Sequence, residues 1–222
     1  MLVRSSREIL NEVRTRLRDP IHLTTAQVRS ISSHVFSMIE DRRIDLVLDL
    51  SEQLLEDHSW ECGVVAYDWA FRMRRQYSER TFATFEAWLE KYVRGWGDCD
   101  DFCTHAFGAL LGQHGHFFDR ILTWTEHPDF WVRRAAAVIL IYPLRKGQLQ
   151  GIDPFIVADR LMRDEHHLVL KGYGWMLKEF SRCCPDDVYQ YLLAHKTQMP
   201  RVAFRYALEK LDAGRKAALM QP

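Results

Sequence analysis

The chain has 222 residues, 47% of them apolar, which is enough to bury the core of one large domain or two small ones. Lysine plus arginine and aspartate plus glutamate both number 30, so the formal net charge is zero. A neutral balance provides no bulk attraction for nucleic acid, and any such binding needs a local basic face. No apolar run approaches the roughly 20 residues of a membrane span, so no membrane partner is predicted.

The cysteines predict neither a disulfide framework nor a metal site. There are five of them: Cys62, Cys99, Cys103, Cys183 and Cys184. An odd number, in a chain that starts with a polar segment and not a secretory leader, is typical of a reducing, cytoplasmic location. Cys99 and Cys103 lie four residues apart, but no second pair has the spacing of a zinc site. Small buried thiols are therefore expected, and no metal.

Nearly every segment of the first half has the pattern of a helix. Ser5 with Glu8 forms a capping box for a helix to about residue 18. The following helices are predicted to start at Thr24 or Thr25, near Ile44, at Ser59 and at Thr81. Gly95 and Gly97 then interrupt the pattern around Trp96, and a sixth helix is predicted from Asp98 to about residue 113.

The second half continues in the same way. Its helices are predicted at about 116–126 and 130–141, from 154 onwards, and at about 167–182, 185–195 and 200–211, with a frayed tail from Ala213. Asp129 caps the second of these, and Pro154 stands at the first position of the third. Tyr142-Pro143 and residues 147–151 form the clearest linker, and no segment has a convincing strand pattern.

Three tryptophans indicate that these helices form repeats. Trp60, Trp96 and Trp131 are spaced 36 and 35 residues apart. A period in the mid-thirties with two helices per unit is typical of an α-solenoid. We therefore predict an all-α solenoid with about 12 helices, whose repeat is slightly shorter than a HEAT-like pair and slightly longer than a tetratricopeptide repeat. The expected organisation is one curved domain over residues 1–222 with a concave face.

Trp96-Gly-Asp-Cys-Asp100 places a tryptophan and a carboxylate four residues apart. Residues at i and i+4 share one face of a helix, so both side chains can point into the same space. An aromatic ring beside an anion suits a cationic ligand. The alternative is a solvent-exposed helix start, because Asp98, Asp100 and Asp101 all favour the positive end of a helix dipole.

Two further stretches lie on helices of later repeats. In Phe130-Trp-Val-Arg133-Arg134-Ala-Ala, the two arginines are about 100° apart on the helix, so one can face the concave surface. Lys171-Gly-Tyr-Gly-Trp175 repeats the theme, with Lys171 37 residues after Arg134. Its two glycines cost roughly 1 kcal/mol each relative to alanine, which indicates a packing or access requirement near Trp175. A core position for Trp175 and a surface ion pair for Arg134 are the alternatives.

These three stretches resemble the AlkD-type DNA alkylation repair glycosylases. The family has a Trp-x-x-x-Asp, a Trp-x-x-Arg-x-Ala and a Gly-Trp-x-Leu-[Arg/Lys]-Glu in this order, and residues 96–100, 131–136 and 174–179 match them. The resemblance covers about residues 59–211, and it extends weakly to Thr24 and Arg29. Here glycines flank Trp96, where members often carry a second carboxylate or aromatic residue.

The resemblance implies a function and a role for each matching residue. Members are HEAT-like proteins that excise positively charged N3- and N7-alkylated purines from DNA without turning the base into a deep pocket. Asp100 matches the catalytic carboxylate, Trp96 and Trp175 match tryptophans at the lesion-bearing sugar, and Arg134 matches an arginine on the DNA backbone. Arg133 and Lys171 are further candidates for DNA contact.

The chemistry of such a lesion agrees with these roles. A cationic purine leaves without an acid, and a fixed carboxylate stabilises the remaining oxocarbenium-like sugar. The expected protein is a monofunctional, cofactor-free glycosylase that acts as a cytoplasmic monomer on double-stranded DNA with alkylated bases. A non-catalytic protein for bent or branched DNA and a protein-binding solenoid remain the alternatives.

Overall fold

The computed structural model describes residues 5–18 and 23–221, and every regular element in them is helical. The all-α prediction is therefore confirmed. None of the helices in these two ranges is long and apolar enough to cross a membrane. Contacts divide the chain into two compact units, one up to Leu110 and one from Leu111. The single domain over residues 1–222 stays a prediction.

The first unit begins with helices whose starts follow the capping signals. They are α1 (Ser6–Leu17), α2 (Thr25–Phe36), α3 (Ile44–Leu55), α4 (Trp60–Arg72), α5 (Glu79–Tyr92) and α6 (Trp96–Phe102). The side chains of Ser5, Thr24 and Ser59 accept hydrogen bonds from backbone N–H groups three residues on, as predicted. The fifth helix begins earlier than expected, because Ser78 and not Thr81 is its N-cap.

The second unit continues with shorter helices. Beginning with the helix in which the division falls, they are α7 (Gly108–Gln113), α8 (Phe118–Thr123), α9 (Phe130–Val138), α10 (Ile141–Lys146), α11 (Pro154–Leu161), α12 (His167–Phe180), α13 (Pro185–Ala194), α14 (Arg201–Ala207) and α15 (Ala213–Met220). The predicted linker at Tyr142-Pro143 is wrong. Pro143 lies in the first turn of α10, where its missing N–H breaks no helical bond, and the helix ends at Gly147 with φ of 66°.

The predicted frayed tail from Ala213 is also wrong. Residues 213–220 form a helix, because the Asp212 side chain accepts a hydrogen bond from the Arg215 N–H and caps it. Leu219 on this helix is fully buried. The cap and this buried leucine stabilise a segment that was expected to fray because of its terminal position.

An aromatic cluster anchors α6 in the first unit. Phe102 stacks on Tyr67 with ring centroids 4.5 Å apart, and it lies 5.2 Å from Phe85 and 5.3 Å from Phe107. All four rings are buried, and burying one such side chain contributes about 2–3 kcal/mol. The cluster holds the apolar face of α6 inward and leaves the face that carries Asp100 at the surface.

A π-helical turn, Cys103–Phe107, follows α6 directly. The sequence pattern predicted one regular helix from Asp98 to about residue 113. The structure confirms a helical run to residue 113, but the run begins at Trp96, with Gly95 as the N-cap and Gly97 inside the helix, and it widens at the π-helical turn. Such turns occur mostly as single turns inside α-helices and are frequent at functional sites. In this chain the turn carries the partly exposed His105, with the buried Thr104 before it, next to α6.

Helix α12 is the centre of the second unit, where it packs against α9, α11 and α14. Gly174 makes the closest of these contacts possible. A Cβ atom at Gly174 would lie 2.7 Å from the carbonyl oxygen of Ala203 and 2.8 Å from the Cβ of Tyr206. The glycine inside this helix is therefore required by backbone packing, which is one of the two reasons expected from the sequence.

Candidate functional site

A cleft of about 620 Å³ opens in the first unit around the start of α6. Its walls come from α2, α4, α6 and the π-helical turn. The lining residues are Thr25, Trp60, Val64, Gly95, Trp96, Gly97, Asp98, Asp100, Asp101, Thr104 and His105. The cleft thus combines indole rings with several carboxylates and one imidazole.

Two tryptophans of this cleft are the most exposed aromatic side chains among the described residues. Trp96 is 65% exposed and Trp60 is 38% exposed. A Cβ atom at Gly97 would lie 3.7 Å from Nε1 of Trp60, so the glycine backbone already lies against that indole. Large rings left open to solvent are informative, because apolar side chains of this size are usually buried.

Asp98 fixes the turn on which Trp96 stands. It is the third residue of α6, and its carboxylate accepts hydrogen bonds from the backbone of Arg94 and Gly95. Burial nevertheless raises the pKa of Asp98 above its ordinary value. A Cβ at Gly95 would lie 3.2 Å from an Asp98 carboxylate oxygen, so glycine here leaves room for this cap.

The structure brings Trp96 and Asp100 to the same cleft, as their spacing predicted. Asp100 is half-buried, one helical turn after Trp96. The Thr104 hydroxyl donates a 2.7 Å hydrogen bond to the Asp100 backbone carbonyl and so ties α6 to the π-helical turn. The Asp100 carboxylate therefore stands on a backbone segment that is held by the Asp98 cap on one side and by the Thr104 hydrogen bond on the other.

Behind Asp100, the Asp101 carboxylate joins two cationic side chains. The guanidinium of Arg29 donates to its Oδ1, and Nδ1 of His105 lies 3.2 Å from the same oxygen. The second oxygen, Oδ2, is buried and has no hydrogen-bond partner among the described residues. The hydrogen bond to Asp101 raises the pKa of His105, although burial and Arg29 act in the opposite direction.

A second carboxylate supports Arg29 from α4. Asp68 lies 3.8 Å from Arg29, 2.8 Å from Nε of Arg72 and 2.5 Å from the Ser32 hydroxyl. With this network Arg29 is held between two carboxylates. The early Thr24–Arg29 segment, which matched the family pattern only weakly, therefore reaches the cleft through Thr25 and Arg29.

The predicted residues of the second unit have a different environment. Arg134 is only 5% exposed, and its guanidinium donates to the backbone carbonyl of Leu168. A Cβ at Gly172 would lie 3.3 Å from the Cγ and Nη1 atoms of Arg134, so this glycine gives the arginine its room. Arg134 therefore joins α9 to α12 inside the unit.

Arg133, its neighbour, is bound to the loops at the start of α9 and α12. Its Nε lies 2.6 Å from the Asp164 carboxylate, and Nη1 donates to the carbonyls of His127 and Pro128 at 2.9 and 3.0 Å. The two arginines face different ways, as their 100° separation predicted. Neither presents an unoccupied guanidinium at the surface.

The side chains of Trp175 and Lys171 are both partly exposed to solvent. Nε1 of Trp175 donates to Glu179 at 3.3 Å, and the Arg145 guanidinium lies 5.9 Å from its ring centroid. Glu179 is 5% exposed and pairs with Arg145 at 3.1 Å and with Arg182 at 3.0 Å. Burial raises the pKa of Glu179, but the two arginines and Trp175 outweigh it and leave the pKa lowered. Lys171 is half-buried.

Several residues of the cleft were not singled out from the sequence. Trp60 was noted for its spacing alone, while Asp101 and His105 received no role. The available signal was local, because His105 follows Asp101 by four residues and therefore shares its helical face. In residues 5–18 and 23–221, no group of three or more His, Cys, Asp or Glu side chains could hold a metal ion.

Comparison with known proteins agrees with the motifs. The family model described as DNA alkylation repair enzyme matches residues 20–211. No curated protein matches the sequence. Two solved structures are similar in fold. A predicted DNA alkylation repair enzyme from Enterococcus faecalis has 17% identity and a TM-score of 0.66, with 86% of this chain and 87% of that chain covered.

The other structure is AlkD2 from Streptococcus mutans, with 15% identity and a TM-score of 0.66 over 94% of this chain and 100% of that chain. At such identities the likeness shows the fold alone, a helical-repeat architecture shared with AlkD-type proteins. The family model, in contrast, spans most of the chain. The protein belongs to the DNA alkylation repair enzyme family.

Proposed function

We propose that the protein is a monofunctional DNA glycosylase that releases positively charged N3- or N7-alkylated purines, with Asp100 as its catalytic carboxylate. Membership of an alkylation repair family supports a role in DNA repair. The observation that carries the finer proposal is the pairing of Asp100 with the exposed Trp96 in one cleft. That pairing suits a ligand on which positive charge is present or develops.

The proposed reaction needs stabilisation of a cation and no acid. The alkylated purine already carries a positive charge, so it leaves with the electron pair of the N-glycosidic bond. The sugar becomes oxocarbenium-like, and the Asp100 carboxylate stabilises it and orients the attacking water. The water oxygen then bonds to the anomeric carbon and loses its proton, which completes the hydrolysis.

The two indoles supply the second part of the proposed site. A tryptophan face attracts a cation by about 1–2 kcal/mol when the contact is desolvated. Trp96 is mostly exposed, so its ring offers a surface against which a sugar or base can lie. This arrangement supports excision of a base that stays in or near the stack.

The second unit is proposed to hold DNA through its surface groups. Lys171 and Trp175 keep accessible surface. Arg134 and Arg133 are engaged inside the unit. We therefore propose that these two arginines act on DNA mainly by fixing α9 and α12, and that Lys171 contacts phosphate directly.

The test is release of free 7-methylguanine and 3-methyladenine from methylated duplex DNA. Wild type should release both, and Asp100→Asn should reduce the rate at least about 100-fold, as expected when a group that stabilises transition-state charge is lost. Duplex affinity should not fall, because the substitution removes a carboxylate and no group that attracts phosphate. Asp187→Asn, an exposed carboxylate on α13, is the matched control and should release bases at the wild-type rate.

Two outcomes would contradict the proposal. Release by Asp100→Asn at the wild-type rate would remove Asp100 from the catalytic role. No release by wild type, with duplex binding intact, would favour a non-catalytic DNA-binding protein. A chain that neither releases bases nor binds duplex DNA would favour the protein-binding alternative.

A further inference from the structure

His105 is a titratable group in the cleft to which the proposed reaction gives no role. Its side chain is 43% exposed and lines the same cleft as Asp100. The π-helical turn that carries it is the one irregular segment of the helical run from 96 to 113. π-Helical turns of this kind are frequent at functional sites.

The ring of His105 is oriented by its neighbours. Nδ1 lies 3.2 Å from the Asp101 carboxylate and 2.9 Å from the Asp101 backbone carbonyl. The ring also meets Phe71 edge to face, with centroids 5.7 Å apart. Because Nδ1 is used within the protein, Nε2 is the nitrogen that remains for a ligand, and it has no partner among the described residues.

The charges around this ring make its proton important for a polyanion. The charged groups that act on the ring are the Asp101 carboxylate of α6 and the Arg29 guanidinium of α2, and Asp68 and Arg72 of α4 are paired behind Arg29. The cleft itself is lined by three carboxylates, those of Asp98, Asp100 and Asp101, and the described residues that line it include no lysine or arginine. With neutral His105 the cleft would repel a phosphodiester, whereas the imidazolium adds a cation at the cleft wall.

We propose that His105, held by Asp101, is a phosphate-binding residue whose imidazolium contacts the phosphate next to the sugar on which Asp100 acts. This inference rests on the proposed function. In a nucleotide the anomeric carbon and the adjacent phosphate are only a few bonds apart, so a carboxylate and a cation on one cleft can serve both. Asp101 is then a positioning residue, which orients the ring and favours its charged form.

The expected pH dependence follows from the charge on the ring. The imidazolium is present below the pKa of His105 and disappears as the pH rises through it. The hydrogen bond to Asp101 raises that pKa, so the contact persists to a higher pH than for an ordinary histidine. DNA affinity should therefore be highest at mildly acidic to neutral pH and should fall in the alkaline range.

The experiment measures duplex affinity between pH 6 and 9 for wild type, His105→Gln and His105→Arg. Wild type should lose about tenfold in affinity across this range, as expected for one charged hydrogen bond. His105→Gln should be weak and independent of pH, with a salt slope lower by about one. His105→Arg should bind tightly at every pH. His34→Gln, at an exposed position of α2, is the control and should behave as wild type.

A modified duplex identifies the phosphate. One neutral methylphosphonate beside a single methylated purine should abolish the pH dependence of wild type, and the same group several nucleotides away should leave it intact. Equal slopes for wild type and His105→Gln would overturn the inference.

Base release in the same samples separates the two proposals. If wild type releases bases and the pH dependence of affinity is equal for wild type and His105→Gln, only the phosphate-binding role of His105 is rejected. A His105-dependent slope without release rejects the proposed glycosylase activity and supports the phosphate contact.

Discussion

The two units differ in what their charged side chains contact. In the first unit, Asp100 and His105 line a cleft and lie beside exposed indoles. In the second unit, Arg134 and Glu179 are each only 5% exposed and bind groups of their own unit. A charge at a cleft is available to a ligand, whereas a buried charge must be paired because its desolvation is costly.

This difference predicts two kinds of variant. Substitutions in the second unit should mainly lower the free energy of unfolding. Substitutions of the cleft residues proposed to contact DNA, Trp96, Asp100 and His105, should mainly affect DNA chemistry and leave unfolding almost unchanged. Measurements of unfolding and of base release on the same variants therefore test the comparison, and the expected changes in unfolding free energy range from about 3 kcal/mol to less than 0.5 kcal/mol.

Arg134→Ala should give the largest loss of stability. It removes a buried side chain, empties the space beside Gly172 and takes away the side-chain donor to the Leu168 carbonyl. Together these effects should lower the free energy of unfolding by about 3 kcal/mol, measured by denaturant titration. Arg163→Ala, at an exposed position, should change it by less than about 0.5 kcal/mol.

The comparison fails if Arg134→Ala folds as stably as wild type and loses duplex affinity instead. That result would mean that Arg134 contacts DNA directly, as the family resemblance implied. Unfolding and duplex affinity of Arg134→Lys provide a second test, because lysine keeps the charge but cannot reproduce a planar guanidinium donor.

Gly174→Ala should follow, with a loss of about 1–2 kcal/mol. Alanine gains up to about 1 kcal/mol in helix propensity, but its Cβ would meet backbone atoms of α14 at 2.7 Å, which forces a shift of α12 or α14. Gly63→Ala is the matched control in the first unit. Its Cβ would lie 3.7 Å from the nearest side-chain atoms, so this variant should be as stable as wild type or more stable. Thermal unfolding of the pair decides whether packing or propensity dominates.

Glu179→Gln should cost about 1 kcal/mol at pH 7, because it weakens the pairing with Arg145 and Arg182. The pKa of Glu179 is lowered in the folded protein, so its stabilising effect is present above the ordinary value of 4.5 and is lost as the pH falls through the folded value. The difference between wild type and Glu179→Gln should therefore shrink in denaturant titrations below about pH 4. A difference that stays constant with pH would contradict the ion-pair explanation.

Helix starts and the Trp96–Asp100 pairing could be predicted because both depend on local spacing. Ser5, Thr24 and Ser59 cap their helices through residues three positions away, and residues four apart share a face. The helix start at Ser78 was missed because both Ser78 and Thr81 are acceptable caps, and the choice depends on packing.

Long-range partners could not be predicted in this way. The contact of Arg29 with Asp101 spans 72 residues, and that of Arg134 with Leu168 spans 34. Sequence spacing does not reveal which helix faces meet at such separations. The buried state of Arg134 was missed because an arginine is normally exposed, even in a stretch as apolar as Phe130–Val138.

Trp96→Ala should have the smallest effect on unfolding and still reduce base release. The side chain is 65% exposed, so little buried surface is lost and the free energy of unfolding should change by less than about 0.5 kcal/mol. The rate of 7-methylguanine release should fall about tenfold, because a cation–π contact of about 1–2 kcal/mol with the developing sugar cation is removed. Trp96→Phe keeps a weaker aromatic face, so its release rate should lie between those of wild type and Trp96→Ala. If Trp96→Ala instead lowered the free energy of unfolding and left the rate of 7-methylguanine release unchanged, Trp96 would be a structural residue. The distinction between the two units would then fail at a residue from which the candidate site was first inferred.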